Sequence, residues 1–143
     1  MPRRYIAVEE QRIIIDRAQK RCEYCQSWMN YATQPFVFEH IIPRSRGGVS
    51  ALENLALACG GCNGHKYNKM ESPDPIDGKV VPLYNPRQQK WQDHFGWNED
   101  YTRVVGLTAT GRATVKALKM NRPAVMNMRK LLRAAGKHPP STR

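Results

Sequence analysis

Two cysteine pairs, Cys22-x-x-Cys25 and Cys59-x-x-Cys62, constrain this chain more than any other feature. Together they offer four soft thiolates, the ligand set of one tetrahedral zinc ion, and each CxxC spacing suits a tight knuckle turn. Two disulfides are the other use for four cysteines. The start of the chain, Met1-Pro2-Arg3-Arg4-Tyr5-Ile6, has no apolar segment or small-residue cleavage site of a secretory leader. The cytoplasm is therefore the expected compartment, where thiols stay reduced and such pairs bind metal. If one zinc holds both pairs, the chain between them must fold back on itself.

That returning stretch carries chemistry. Glu39-His40 lies between the pairs, and Asn63 directly follows the last cysteine, so closing the zinc site draws the three towards one another. A carboxylate is a hard ligand suited to Mg²⁺ or Mn²⁺. Histidine titrates near neutrality, and a neutral imidazole can take a proton from water. Asn63, at the start of a helix, offers an amide oxygen to the same cation. Lys66 lies on the same helical face and is expected to meet a phosphate. His65 would be turned about 200° from Asn63 and is the poorer candidate.

The charge suits a polyphosphate. With 23 Lys+Arg against 12 Asp+Glu the net charge is +11, a field that attracts nucleic acid or an anionic membrane surface. No apolar run approaches the roughly 20 residues that span a bilayer. Taken together, the residues read as a metal-dependent nuclease.

Local patterning supplies the frame. Residues 8–19, with early acids and no Gly or Pro, predict a helix beside the first knuckle. Residues 36–41 are rich in β-branched and aromatic side chains and read as a strand ended by Pro43. Residues 44–50, with Gly47-Gly48, read as a flexible basic loop. Residues 52–58 form a return strand, and a helix starts just past Gly60-Gly61. The sum is a hairpin followed by a helix, clipped by metal. Glu39 and His40 should face opposite sides of their strand unless the Pro43 break and a bulge re-aim one of them.

From Ser72 onwards the pattern changes. Residues 73–79 are turn-rich, with Asp77-Gly78 a hairpin signal. Residues 80–84 and 103–108 read as strands, Thr110 as the cap of a helix through Met120, and 123–135 as another helix. The tail from Gly136 onwards reads as frayed, and the basic residues around Arg129 and Arg133 as a solvated face or an auxiliary grip. Trp28, Trp91 and Trp97 read as core or sheet-face residues rather than base-stacking platforms; His94 and His138 as structural or exposed. The expected division is 1–71 for the metal-clipped unit and 72–143 for an extension packed on it.

Cys-x-x-Cys, Glu-His-Ile-Ile-Pro-Arg-x-x-Gly-Gly and Glu-Asn-Leu-x-Leu-Ala-Cys-x-x-Cys-Asn-x-x-Lys together resemble the zinc-containing HNH endonucleases. The resemblance covers residues 22–66 strongly. Residues 82–120, with Leu-Tyr-Asn-Pro-Arg and Gly-Leu-Thr-Ala-Thr-Gly-Arg-Ala-Thr-Val, are also similar to stand-alone bacterial members, particularly of cyanobacterial type. The resemblance implies an α+β fold: a ββα-metal core clipped by a structural Cys₄ Zn²⁺ site, with an N-terminal helix and a C-terminal strand and helix extension.

It makes His40 the general base, Glu39 and Asn63 the ligands of a catalytic Mg²⁺ or Mn²⁺, and Asn54 the amide that braces the hairpin loop and so orients the base. Many members have Asp at the position of Glu39 and His at that of Asn63; both replacements here favour hard cations. The implied reaction is one-metal hydrolysis of DNA, with Arg44, Arg46 and Lys66 near the phosphates and no membrane partner. The competing readings are a non-catalytic zinc-ribbon module that only binds nucleic acid, and a nuclease subunit that acts only inside a larger assembly.

Overall fold

The first helix begins with acids in its first turn. In α1 (Val8–Arg17), Glu9 and Glu10 complement the positive helix terminus, and the Glu10 carboxylate accepts the Ala7 N–H at 3.3 Å. Gln19 and Lys20 follow with φ of 55° and 60°, turning the chain out of the helix and into the first knuckle. The inner face of α1 places Ile14 and Ala18, both fully buried, against Leu55 and Leu57. Burying each of the larger side chains contributes about 1.5–3 kcal/mol. The computed structural model describes residues 6–140. The leader reading made on the first residues and the last three residues of the tail lie outside the described residues.

β1 (Val37–His40) and β2 (Leu55–Ala58) form an antiparallel hairpin, and α2 (Gly60–Lys66) follows at once. Mixed helices and small antiparallel sheets make the fold α+β, with the cysteine cluster beside this ββα unit as in an HNH ββα-metal fold. Pairing runs Val37↔Ala58 to His40↔Leu55 without interruption. Between the strands, residues 44–50 are not the flexible loop expected. Arg44–Arg46 form a 3₁₀ turn, and the Arg46 and Gly48 N–H groups both donate to Pro43 O, at 2.8 and 3.0 Å. Gly48 is required by packing: a Cβ there would lie 1.7 Å from Ile42 O.

Beyond Met70 come a hairpin of β3 (Glu71–Pro73) and β4 (Val80–Pro82), then α3 (Trp91–His94) leading into β5 (Phe95–Trp97), which pairs with β6 (Val104–Gly106). α4 (Ala109–Ala117) and α5 (Pro123–Ala134) complete the order. The cap of α4 is Thr108, not Thr110: its hydroxyl accepts the Gly111 N–H at 3.0 Å, whereas Thr110 lies within the first turn and gives its carbonyl to Thr114 Oγ1. Leu83, Tyr84, Phe95, Val104, Leu118 and Met120 share one buried cluster with Cys22, Tyr24 and Ile41, so this part of the chain packs directly on the knuckles.

The described part of the tail is docked, not frayed. Lys137 O accepts Trp28 Nε1 at 3.0 Å, and the buried His138 bonds Tyr101 O through Nε2 at 2.8 Å with its ring edge-on to Trp97. Arg129, expected on a solvated face or as a grip, is buried and donates to Thr102 O, Cys25 O and Met120 O. Among the described residues no helix is long and apolar enough to cross a membrane.

Candidate functional site

The four cysteines converge. All are free thiols, and their Sγ atoms lie within 4.8 Å of one another, with Cys25 and Cys59 3.6 Å apart. A zinc tetrahedron with Zn–S of about 2.3 Å has S···S edges of about 3.8 Å, so the cluster needs only a small contraction. Each knuckle points a backbone N–H at its own first sulfur: Cys25 N to Cys22 Sγ at 3.5 Å and Cys62 N to Cys59 Sγ at 3.4 Å. The second bond also makes Cys59 the N-cap of α2. Burial pushes the Cys22 thiol well above its usual pKa, while hydrogen bonds from the neighbouring sulfurs hold Cys25 well below it. A cation bound among these four buried sulfurs lets all of them ionise, and the donor chemistry suggests zinc.

Two cations from the C-terminal helices reach this cluster. Arg122 Nη2 lies 3.5 Å from Cys59 Sγ and 4.0 Å from Cys62 Sγ, and its Nη1 is fixed by Leu118 O and Lys119 O. Gly61 leaves it room, since a Cβ there would stand 2.6 Å from the guanidinium. Arg129 holds Cys25 O from the other side.

On the far side of Cys62 a cleft of about 350 Å³ opens, bordered by Glu39, His40, Arg44, Asn63, Tyr67 and Asn68. Three of the sequence candidates, Glu39, His40 and Asn63, thus border one space. No bulge re-aims either residue of β1, since the pairing Glu39↔Ala56 and His40↔Leu55 is uninterrupted.

Glu39 is 4% exposed, and its Oε1 takes two donors, Tyr24 OH at 2.8 Å and Lys66 Nζ at 3.0 Å. Its Oε2 receives only a long contact from Tyr24 at 3.4 Å. Burial raises the Glu39 pKa, opposed by the Lys66 charge and by the Lys66 and Tyr24 hydrogen bonds.

His40 turns the other way, with Nε2 2.9 Å from Ser50 Oγ. Its pKa is lowered by burial, then by the charges of Arg44 and Lys66. The environment therefore favours the neutral imidazole.

Asn54 is buried and ties the loop shut. Its Oδ1 accepts the Ile42 N–H at 2.8 Å, and its Nδ2 donates to Ile42 O at 3.0 Å and Val49 O at 2.9 Å.

The three basic candidates part company. Arg44 borders the cleft and is exposed. Arg46 is exposed but 3.5 Å from Glu71 and does not border the cleft. Lys66 must be corrected: it is 2% exposed and engages Glu39 and Ile41 O, the latter at 2.8 Å, so it cannot meet a phosphate from solvent. The α2 face that carries it turns inward against the end of β1, and a lone lysine in a sequence does not reveal that.

Tyr24, Ser50 and Tyr67 were not singled out from the sequence. Tyr24 lies inside the Cys22-x-x-Cys25 knuckle, the one cue that would have drawn attention to it; nothing local marks the others. A larger groove of about 770 Å³, floored by Tyr84, Trp91, Phe95 and Trp97, lies elsewhere. Its carboxylate, Glu23, is taken up by Arg87 and by the Leu57 N–H, so the groove offers no comparable chemistry.

Residues 22–69 match the family model described as HNH endonuclease. The matched segment holds both knuckles, the hairpin, α2 and the cleft residues just described. The cysteine cluster is consistent with a zinc-binding HNH type, and the match supports a nuclease-type function with a nucleic-acid substrate. No curated protein and no solved structure matches the chain.

Proposed function

We propose that this protein is an endonuclease that hydrolyses DNA phosphodiester bonds with one divalent cation, Mg²⁺ or Mn²⁺, held by Glu39 and Asn63, and with His40 as general base. The observation that carries the reading is the convergence of Glu39, His40 and Asn63 on one cleft. The donors suit the cation: a carboxylate and an amide are hard ligands, and Oε2 of Glu39 is the oxygen its neighbours leave nearly free. Lys66 and Tyr24 hold the other oxygen, fixing the carboxylate and favouring its ionised form against burial. When bound, the cation neutralises charge that develops on the phosphate and leaving oxygen.

The protein's own groups do the rest. In the tautomer that donates Nε2–H to Ser50 Oγ, Nδ1 of His40 is the nitrogen that takes the proton from an in-line water. Asn54 fixes the backbone just past His40 through both polar atoms of Ile42, which keeps the imidazole aimed. Arg44 at the rim and the net charge of +11 draw the double-stranded substrate in through its phosphates. Products carry 3′-hydroxyl and 5′-phosphate ends.

The test is incubation of the purified chain with supercoiled plasmid, with and without Mg²⁺ or Mn²⁺, beside His40→Ala. Cleavage should require the metal and fall about 10²–10⁴-fold in the variant. Binding of DNA without any cleavage by the wild type would leave the non-catalytic binding module in its place.

A further inference from the structure

Tyr67 stands at the mouth of the cleft in a conformation that does not suit it. Lys66 O accepts the Lys69 N–H at 2.9 Å, closing a four-residue turn with Tyr67 and Asn68 at its centre. Tyr67 has φ 51° and ψ −114°, the first central position of a type II′ turn, where glycine is the favoured residue. The position is held from both sides: Tyr67 N–H donates to Asn63 O at 2.9 Å, and the preceding Lys66 is anchored in the interior. The side chain repays none of this to the fold, for it is 76% exposed, the most of any large hydrophobic residue described. It nevertheless borders the same space as His40 and Asn63. Strained backbone positions held in place by the surrounding fold collect at ligand-facing sites.

From this geometry we infer that Tyr67 is a substrate-binding residue whose ring packs on the apolar face of the nucleotide next to the scissile phosphate. The inference rests on the nuclease reading of the cleft. The chemistry is complementary on both counts. Arg44 at the rim of the cleft supplies positive charge for a phosphate, and the ring supplies the flat amphipathic surface that a base or a sugar offers in return. α2 then presents Asn63, and the turn that follows it presents Tyr67, to the same cleft.

The experiment compares Tyr67→Gly, Tyr67→Ala and Tyr67→Phe. Binding is read by anisotropy of a labelled duplex oligonucleotide on the His40→Ala chain, KM by cleavage, and folding by thermal melting. Tyr67→Gly and Tyr67→Ala should weaken binding and raise KM about tenfold, a loss typical of one aromatic contact with a base. Tyr67→Phe should stay near wild type. Tyr67→Gly, relieved of its positive φ, should melt no lower than wild type, so its loss of binding would not be a folding defect. A duplex with an abasic nucleotide beside the cut separates the two faces: an effect of Tyr67→Gly that vanishes there assigns the contact to the base, and one that persists assigns it to the sugar. Unchanged binding by Tyr67→Gly, or a loss by Tyr67→Phe equal to that of Tyr67→Ala, overturns the inference. Absence of cleavage by the wild-type chain would instead sink the nuclease reading, and the binding measurement would still report on Tyr67.

Discussion

The cysteine cluster and the cleft are built from neighbouring residues and obey opposite rules. Cys62 and Asn63 are adjacent on α2, yet Cys62 is fully buried among sulfurs and Asn63 borders solvent-filled space. Around the cysteines the protein supplies partners of its own: backbone N–H groups from each knuckle, Arg122 beside Cys59 and Cys62, and Arg129 on the Cys25 carbonyl. Around Glu39 the protein closes one carboxylate oxygen with Tyr24 and Lys66 and leaves the other lightly held. A closed site with four soft donors stabilises a fold, and a site with hard donors and one open side leaves room for reaction. Tyr24 joins the two, since its neighbours on both sides belong to the knuckle while its hydroxyl holds Glu39.

The largest effect should come from opening the closed site. Cys62→Ser, or prolonged treatment with a strong chelator, should abolish folding, because zinc binding in small knuckle domains supplies about 10–16 kcal/mol. Metal analysis should give about one zinc per wild-type chain, and circular dichroism should show loss of cooperative melting in the variant. A fully folded, zinc-free Cys62→Ser chain would erase the distinction between the sites.

The open site should behave differently. Glu39→Ala and Asn63→Ala should fold, keep their zinc, and need more Mn²⁺ for half-maximal cleavage. His40→Ala should keep its metal dependence and not recover at any Mn²⁺ concentration. Rates measured against Mn²⁺ for the three variants decide this; recovery of His40→Ala by added metal would make His40 a ligand instead of the base.

A smaller effect sharpens the contrast from the closed side. Arg122→Met removes the guanidinium beside Cys59 and should weaken zinc retention about 10–100-fold, as loss of partners around metal ligands commonly does. The Mn²⁺ requirement for cleavage should not move. Zinc release to a chromogenic chelator measures the first, and unchanged release would reduce Arg122 to a packing residue.

The smallest shift concerns acid pH. His40 must be neutral to accept a proton, and its pKa is held down by burial and by the charges of Arg44 and Lys66. Arg44→Ala removes one of those charges, so the pKa rises and His40 protonates earlier as pH falls. The acid limb of the kcat–pH profile should therefore move to higher pH, whatever the change in KM. A limb that stays in place would mean Arg44 does not act on the base.

Much of the matched segment was legible because its signals are local. The CxxC spacings, the β-branched run before Pro43 and the Gly60-Gly61 start each act within a few residues, and they led to the knuckles, the hairpin and α2. The return strand nevertheless begins only at Leu55, after a 3₁₀ turn at Leu52–Asn54, and α2 begins at Gly60 itself. The loop after Pro43 was misread because its order comes from Asn54, several residues away, whose side chain satisfies Ile42 and Val49. α3 and β5 went unread since a four-residue helix and a three-residue strand carry almost no periodicity.

By itself, the amino-acid sequence determined which atoms were on offer: four thiolates in knuckles, a carboxylate beside an imidazole, an amide after the last cysteine. Only the tertiary structure decided how they are used. Lys66 looked like a surface cation and is a buried partner of Glu39. Arg122 and Arg129, far along the chain from the cysteines, close around them. The physical reason is range: spacing and turn chemistry act along the chain, whereas burial, charge pairing and the choice of a side chain's partner depend on elements that meet only after the chain has folded.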